Sequence, residues 1–310
     1  MPKKKILAIV LIASMILSII PGISFASPLG DFPTIDELPA INTIPDPFKF
    51  FNPANDPTGD GYVSSPEEWS ARREEIKELV QRYFLGYQWP TKPEDVQGSA
   101  TVTTNPQTGA ITISNAMITV RNPDRLDENQ QPISESFSIT INMPTKAQIA
   151  AAWGSEDAKV PFVIDIGGTS AFSAANLNPQ GYARVTFTPK GFFGSSLTDI
   201  YPDSAGENPN RDGIYTRLYP YNKDVYEYAS GALMAWAWAV SQILNALEQP
   251  IADGSMTFGD LVGLDPTKTV VTGHSRYGKA AMFAAAFDER ISICIPSEPG
   301  GSGIQSYRYK

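Results

Sequence analysis

Thr269-Val270-Val271-Thr272-Gly273-His274-Ser275-Arg276-Tyr277-Gly278-Lys279-Ala280 reads as a strand, a tight turn and the start of a helix. The β-branched run Thr269 to Thr272 has the composition of a buried strand. Ala280-Ala281-Met282-Phe283-Ala284-Ala285-Ala286-Phe287 is a small-residue helix able to pack close under a sheet. So short a turn throws Ser275 Oγ clear of the sheet and leaves the first N–H groups of the helix unpaired, where they can bind a developing oxyanion. Arg276 and Lys279 add two cations at this helix start. The macrodipole disfavours positive charge there, so their placement points to an anionic ligand or a charged transition state. An ordinary turn serine is the competing reading of these residues taken alone.

A serine between glycines at a strand-to-helix turn is the nucleophile elbow of the α/β-hydrolase fold. The usual spacing is G-x-S-x-G; here Tyr277 stands at the second glycine position and Gly278 follows one residue late. The flanking segments agree with such a fold. A continuous apolar strand covers 160–166, an alternating strand 182–188, a long apolar-faced helix 228–247, and a further apolar strand 291–295 follows the elbow helix. That order indicates a doubly wound sheet, expected as a three-layer α/β-hydrolase sandwich.

A nucleophilic serine needs a base and a carboxylate that orients the base. Glu298 is the candidate carboxylate, because the strand before it ends at the same rim as the elbow; a surface glutamate is the alternative. The single histidine, His274, precedes the serine. Neighbouring side chains at a strained elbow point apart, so His274 is not expected to accept the Ser275 proton. Gly167-Gly168-Thr169, after strand 160–166, lies where hydrolases place a second oxyanion donor, though a plain turn reads equally well.

Gly273-His274-Ser275-Arg276-Tyr277-Gly278-Lys279 resembles the G-C-S-R-x-G-K elbow of the glucuronoyl esterases. The resemblance extends to Pro66-Glu67-Glu68-Trp69, Arg72-Arg73-Glu74-Glu75-Ile76, Leu233-Met234-Ala235-Trp236-Ala237-Trp238 and Ile243-Leu244-Asn245-Ala246-Leu247-Glu248. Ile295-Pro296-Ser297-Glu298-Pro299-Gly300-Gly301-Ser302-Gly303 is similar to the family's P-x-E-S-G-x-G-G segment. It implies that Ser275 attacks the ester between 4-O-methyl-glucuronate of xylan and a lignin alcohol, forming an acyl-enzyme that water cleaves. By the same resemblance Arg276 stabilises the oxyanion with its guanidinium and backbone N–H, Lys279 contacts the ring hydroxyls, and Glu298 is the triad acid, as in the part of the family that takes it from this segment; other members use an acid further downstream, which this chain does not contain. The implied partner is the glucuronoxylan–lignin ester of plant cell walls; no metal or organic cofactor is implied.

The family's triad histidine lies on a loop after the last strands, and the chain stops at Lys310. The resemblance therefore implies a C-terminally truncated, inactive form that lacks the last strands, a helix and the base. Two other readings remain open: a related esterase removing acetyl groups, and a non-catalytic carbohydrate-binding protein built on a hydrolase core. The family often has a bridged cysteine just before the serine; here that position is His274.

Composition sets further bounds. Lys3-Lys4-Lys5, an apolar run from Ile6 to Ile20 and Ser24-Phe25-Ala26 read as a secretory signal peptide over 1–26, giving a secreted protein with no membrane attachment after cleavage; an uncleaved anchor is the alternative. A formal charge of −9 without a basic cluster excludes a nucleic-acid binder. Cys294 is the single cysteine, so no intrachain disulfide forms; its apolar run reads as a buried strand. Residues 27–64, rich in Pro, Asn and Asp, read as an extended segment, and 65–310 as the catalytic domain. Asp56-Pro57-Thr58-Gly59-Asp60-Gly61, with Glu67, reads as a polar turn, with a calcium loop as the alternative. Ser65, Pro66 and Glu68 start a helix whose stripe Trp69, Arg72, Ile76, Leu79, Val80 and Tyr83 faces a core, its charges solvated. Antiparallel strands with turns at Asn105-Pro106 and Asn122-Pro123 occupy 100–143. Tyr201, Asp212, Tyr215, Arg217, Tyr219 and Tyr221 lie in an irregular insertion (191–222) suited to sugar stacking, whereas Trp236 and Trp238 read as core.

Overall fold

The computed structural model describes residues 32–38, 43–168, 170–189, 213–220 and 230–300. The signal segment, Thr169, Tyr201, Asp212, Tyr221, Ser302 and Gly303 lie outside them. The first helix, α1 (Pro66–Val80), starts as its sequence dictates. Ser65 Oγ accepts the Glu68 N–H at 3.2 Å, Glu68 Oε2 accepts the Ser65 N–H at 3.1 Å, and Pro66 holds the first position.

Its buried face is not the expected apolar stripe. Glu68, Arg72, Glu75 and Glu78 are the buried residues, whereas Trp69 is exposed and Ile76, Leu79 and Val80 are half-buried. The cause is the extended segment laid against the helix, which makes one bridge, Lys49 to Tyr62. Its remaining backbone donors need acceptors, and carboxylates of α1 supply them. Glu75, with no exposed surface, accepts from the Phe51 N–H (2.8 Å), the Asn52 N–H (2.7 Å), Asn55 Nδ2 (3.0 Å) and Arg72 Nη1. Arg72 Nε in turn donates to the Pro47 carbonyl at 3.0 Å.

The Asp56–Asp60 turn satisfies its own backbone donors with carboxylates in the same way. The Asp56 carboxylate is engaged by the N–H groups of Thr58 (2.9 Å) and Gly61 (2.5 Å) and by Thr58 Oγ1 (3.2 Å), and Asp60 Oδ1 by the Tyr62 N–H (2.8 Å). Among the described residues no cluster of ligating side chains could hold a metal.

Strands β1 (Val96–Thr104), β2 (Ile111–Leu126) and β3 (Pro132–Ser138) form an antiparallel sheet. The Asn122-Pro123 pair does not end a strand. It sits inside β2, where the register against β3 breaks between Asn122 and Leu126, and an irregularity of this kind tolerates proline. Asn122 is buried there, donating from Nδ2 to the Leu218 carbonyl at 2.9 Å.

The rest of the chain gives β4 (Thr140–Asn142), α2 (Lys146–Trp153), β5 (Val160–Ile166), α3 (Ala174–Leu177), β6 (Ala183–Phe187), α4 (Ile214–Leu218), α5 (Ala232–Glu248), α6 (Phe258–Val262), β7 (Leu264–His274), α7 (Arg276–Phe287) and β8 (Ile291–Ser297). The strand order is β4-β6-β5-β7-β8, with β4 antiparallel and the other pairings parallel. Every residue of β5 is buried, as its unbroken apolar run requires of a central parallel strand. Helix α5 is apolar almost all round because it lies between α7 on one side and the β1–β2 sheet on the other. Trp236 and Trp238 are accordingly core residues, their indole N–H groups donating to the Pro189 carbonyl (3.1 Å) and Thr91 Oγ1 (2.8 Å).

Two tyrosines of the insertion belong to the same core. Tyr215 and Tyr219 are 1% and 4% exposed, and Tyr219 stacks on Trp89 with centroids 5.0 Å apart. Burial pushes the Tyr215 phenol up to about 12. They are framework, not sugar platforms. Arg217 is likewise engaged, with its Nε 2.6 Å from Glu135 Oε1.

The clamp on α1 makes a testable demand. Glu75→Gln swaps part of a four-donor acceptor for an amide that is itself a donor, and leaves Arg72 without its carboxylate. It is expected to cost about 3 kcal/mol in urea unfolding; a loss below about 1 kcal/mol would show that the buried charges do not hold the segment.

Candidate active site

Ser275 has φ 56° and ψ −119°, a conformation that non-glycine residues rarely hold and that costs about 1–3 kcal/mol. It is exposed and stands at the N-cap of α7, where a serine normally bonds to the helix N–H groups. It makes no such bond. Its hydroxyl is therefore free for chemistry rather than for capping.

The surroundings enforce the turn. The Ser275 N–H donates to the Ser297 carbonyl of β8 at 2.9 Å, and its carbonyl accepts the Lys279 N–H at 3.2 Å. A Cβ on Gly278 would stand 2.7 Å from the Ser297 oxygen and 3.0 Å from the Gly273 oxygen. The late glycine is thus the one that slides α7 against β7 and β8, which explains the shifted spacing. Tyr277, at the usual glycine position, turns its ring elsewhere. One neighbour is Gly167, whose absent Cβ would lie 2.5 Å from the ring; another is the Trp236 indole, edge-on at 5.2 Å.

Arg276 and Lys279 are half-buried, and neither has an ion-pair partner among the described residues. Two uncompensated cations beside a free hydroxyl form a site for negative charge. Glu298, exposed at φ 43°, directly follows Ser297, the residue bonded to the Ser275 N–H. The ends of adjacent parallel strands thus bring Ser275, Arg276, Lys279 and Glu298 to one rim. His274 pairs in register with Ser297, and its Nδ1 lies 3.5 Å from Ser297 Oγ, so its ring is turned to β8. Cys294 donates to the Ala281 carbonyl at 3.4 Å, and burial pushes its thiol up to about 11, as suits a structural residue.

The turn after β5 behaves as a plain turn at both described glycines. The Gly167 N–H donates to the Phe187 carbonyl and the Gly168 N–H to the Asp165 carbonyl, each at 3.1 Å. Both amides are thus engaged within the fold. Sequence reading passed over Asp165 and Arg184. Asp165 is fully buried, and its Oδ2 lies 2.5 Å from Arg184 Nη2. The available signal was one aspartate inside an otherwise apolar strand.

Comparison with known proteins agrees with this geometry. The family model described as "Glucuronyl esterase, fungi" matches residues 127–310, more than half of the chain. A 4-O-methyl-glucuronoyl methylesterase of Podospora anserina is 32% identical over 87% of this chain and 44% of its own length. A carbohydrate esterase family 15 glucuronoyl esterase from Caldicellulosiruptor kristjansonii superposes with a TM-score of 0.58 at 31% identity, over 87% of this chain and 59% of the other. A serine-to-alanine mutant of the glucuronoyl esterase from Sporotrichum thermophile, in complex with methyl 4-O-methyl-β-D-glucopyranuronate, gives 0.54 at 26% identity, over 87% and 57%. The chain spans 30–54% of the length of the curated relatives it matches. The fold is that of the α/β-hydrolases, and the chain belongs to the glucuronoyl esterase family.

Proposed function

We propose that the full-length protein is a secreted serine esterase that cleaves the ester between 4-O-methyl-glucuronate of xylan and lignin alcohols. The observation that carries this reading is Ser275, held in a strained turn where its hydroxyl does not cap the helix, next to Arg276, which has no ion-pair partner among the described residues. Ser275 Oγ attacks the ester carbonyl. The carbonyl oxygen takes up the negative charge, facing the Arg276 guanidinium and the N–H groups at the first turn of α7. Collapse of the tetrahedral intermediate releases the alcohol and leaves a glucuronoyl ester on Ser275, which water then hydrolyses. Lys279, one helical turn on, is placed to donate to hydroxyls of the uronate ring. Glu298 at the adjacent strand end orients the base.

The base itself is assigned outside the described residues, because the chain's one histidine is turned to Ser297. Secretion is supported by the Lys3-Lys4-Lys5 leader and its apolar run, and no described helix is long and apolar enough to cross a membrane.

In the full-length protein, Ser275→Ala is expected to lower kcat on a benzyl ester of 4-O-methyl-glucuronate by about 10⁴-fold or more, with circular dichroism unchanged. Retained turnover would remove Ser275 from the mechanism. Because the Gly167 and Gly168 amides are engaged, Arg276→Met is expected to cost about 10²-fold or more in kcat with a smaller change in KM; a change confined to KM would reduce Arg276 to a binding group.

A further inference from the structure

Beneath the turn that touches the elbow lies a charged pair that the reaction itself does not use. Asp165 stands near the end of β5 with no exposed surface, one position before Ile166, which pairs in register with Gly273 of the elbow. Its Oδ1 accepts the Ser170 N–H at 3.4 Å, its own carbonyl accepts the Gly168 N–H at 3.1 Å, and its Oδ2 lies 2.5 Å from Arg184 Nη2. Among the described residues Asp165 is the sole acceptor for the Arg184 guanidinium, whose Nε is buried without a partner. That guanidinium also passes 3.6 Å from where a Cβ on Gly168 would sit.

The turn so held is in contact with Tyr277, two residues after Ser275. A side chain on Gly167 would collide with the Tyr277 ring, its Cβ 2.5 Å away, and Trp236 meets that ring edge-on. Tyr277 follows Arg276, and both belong to the first turn of α7. A shift of the Gly167–Gly168 backbone therefore moves the Tyr277 ring and, with it, the direction of Arg276 and of Ser275 Oγ. A buried ion pair contributes little net stability over an apolar pair of similar volume, so stability alone does not account for one at this place.

We propose that Asp165, held by Arg184, is a positioning residue that fixes the turn after β5 against Tyr277 and thereby sets the geometry of Ser275 and Arg276. The proposal rests on the reading of Ser275 as the nucleophile. Asp165 touches no reacting atom. Its removal acts on kcat through misplacement, where a displacement of about 1 Å costs about 10²-fold.

The test uses the full-length protein with the benzyl ester of 4-O-methyl-glucuronate as probe and Ser275→Ala alongside. Asp165→Ala is expected to lower kcat about 10²-fold with KM within about twofold, and Asp165→Asn, which keeps an acceptor for the Ser170 N–H, about 10-fold or less. The double variant Asp165→Leu/Arg184→Met removes both charges and serves if Asp165→Ala does not fold. The proposal expects it to melt near the parent temperature while kcat stays low and amide exchange at Gly168 and Ser170 is accelerated. Recovery of parental kcat in the double variant, or parental kcat in Asp165→Ala while Ser275→Ala is inactive, would overturn the positioning role and reduce the pair to a structural one. Turnover by Ser275→Ala would instead overturn the nucleophile assignment, and the positioning role with it.

Discussion

The site depends on one backbone hydrogen bond, from the Ser275 N–H to the Ser297 carbonyl. It ties the turn that ends β7 to the last residue of β8, so the strained φ of Ser275 and the position of Glu298 are fixed by the same contact. Ser297 O also lies against Gly278, where any side chain would collide with it. The strain at Ser275 persists because sheet register, helix packing and this bond all demand it. A hydroxyl that would otherwise cap α7 is thereby kept outside the helix, next in sequence to a guanidinium with no counter-ion among the described residues.

The central sheet was legible because its signals are local and redundant. The unbroken apolar run of β5, the β-branched residues before Gly273 and the alanine-rich helix after it each allow few other arrangements. The Ser65 capping box was legible for the same reason. The buried face of α1 was not. Periodicity marked Ile76, Leu79 and Val80 as core, but the choice of face belonged to a distant segment whose backbone N–H groups required Glu75 and Glu68. Hydrophobic spacing carries no information about such donors. Tyr215 and Tyr219 failed likewise: a polar-tipped aromatic reads as a sugar platform or a core residue until its hydroxyl partners, Ser230 and Thr91, are known.

Within the active site, residue types were readable and mutual placement was not. Ser275, Arg276 and Lys279 follow from one motif, but that the described residues offer the two cations no counter-ion is a three-dimensional fact. The role of Gly278 could be noticed only as a misfit to G-x-S-x-G; its close approach to Ser297 O turns the misfit into a packing requirement. Asp165 was hidden by its apolar neighbours, and its partner Arg184 lies on a different strand.

The proposed mechanism requires that Ser275 Oγ become covalently acylated. The most direct measurement is peptide mass spectrometry of the full-length protein, acid-quenched within the first turnover of a 4-O-methyl-glucuronate ester. The account predicts a glucuronoyl increment on the peptide containing Ser275, lost when Ser275 is replaced by alanine. Ester cleavage at the full rate with that peptide unmodified, or with the increment on another residue, would contradict it.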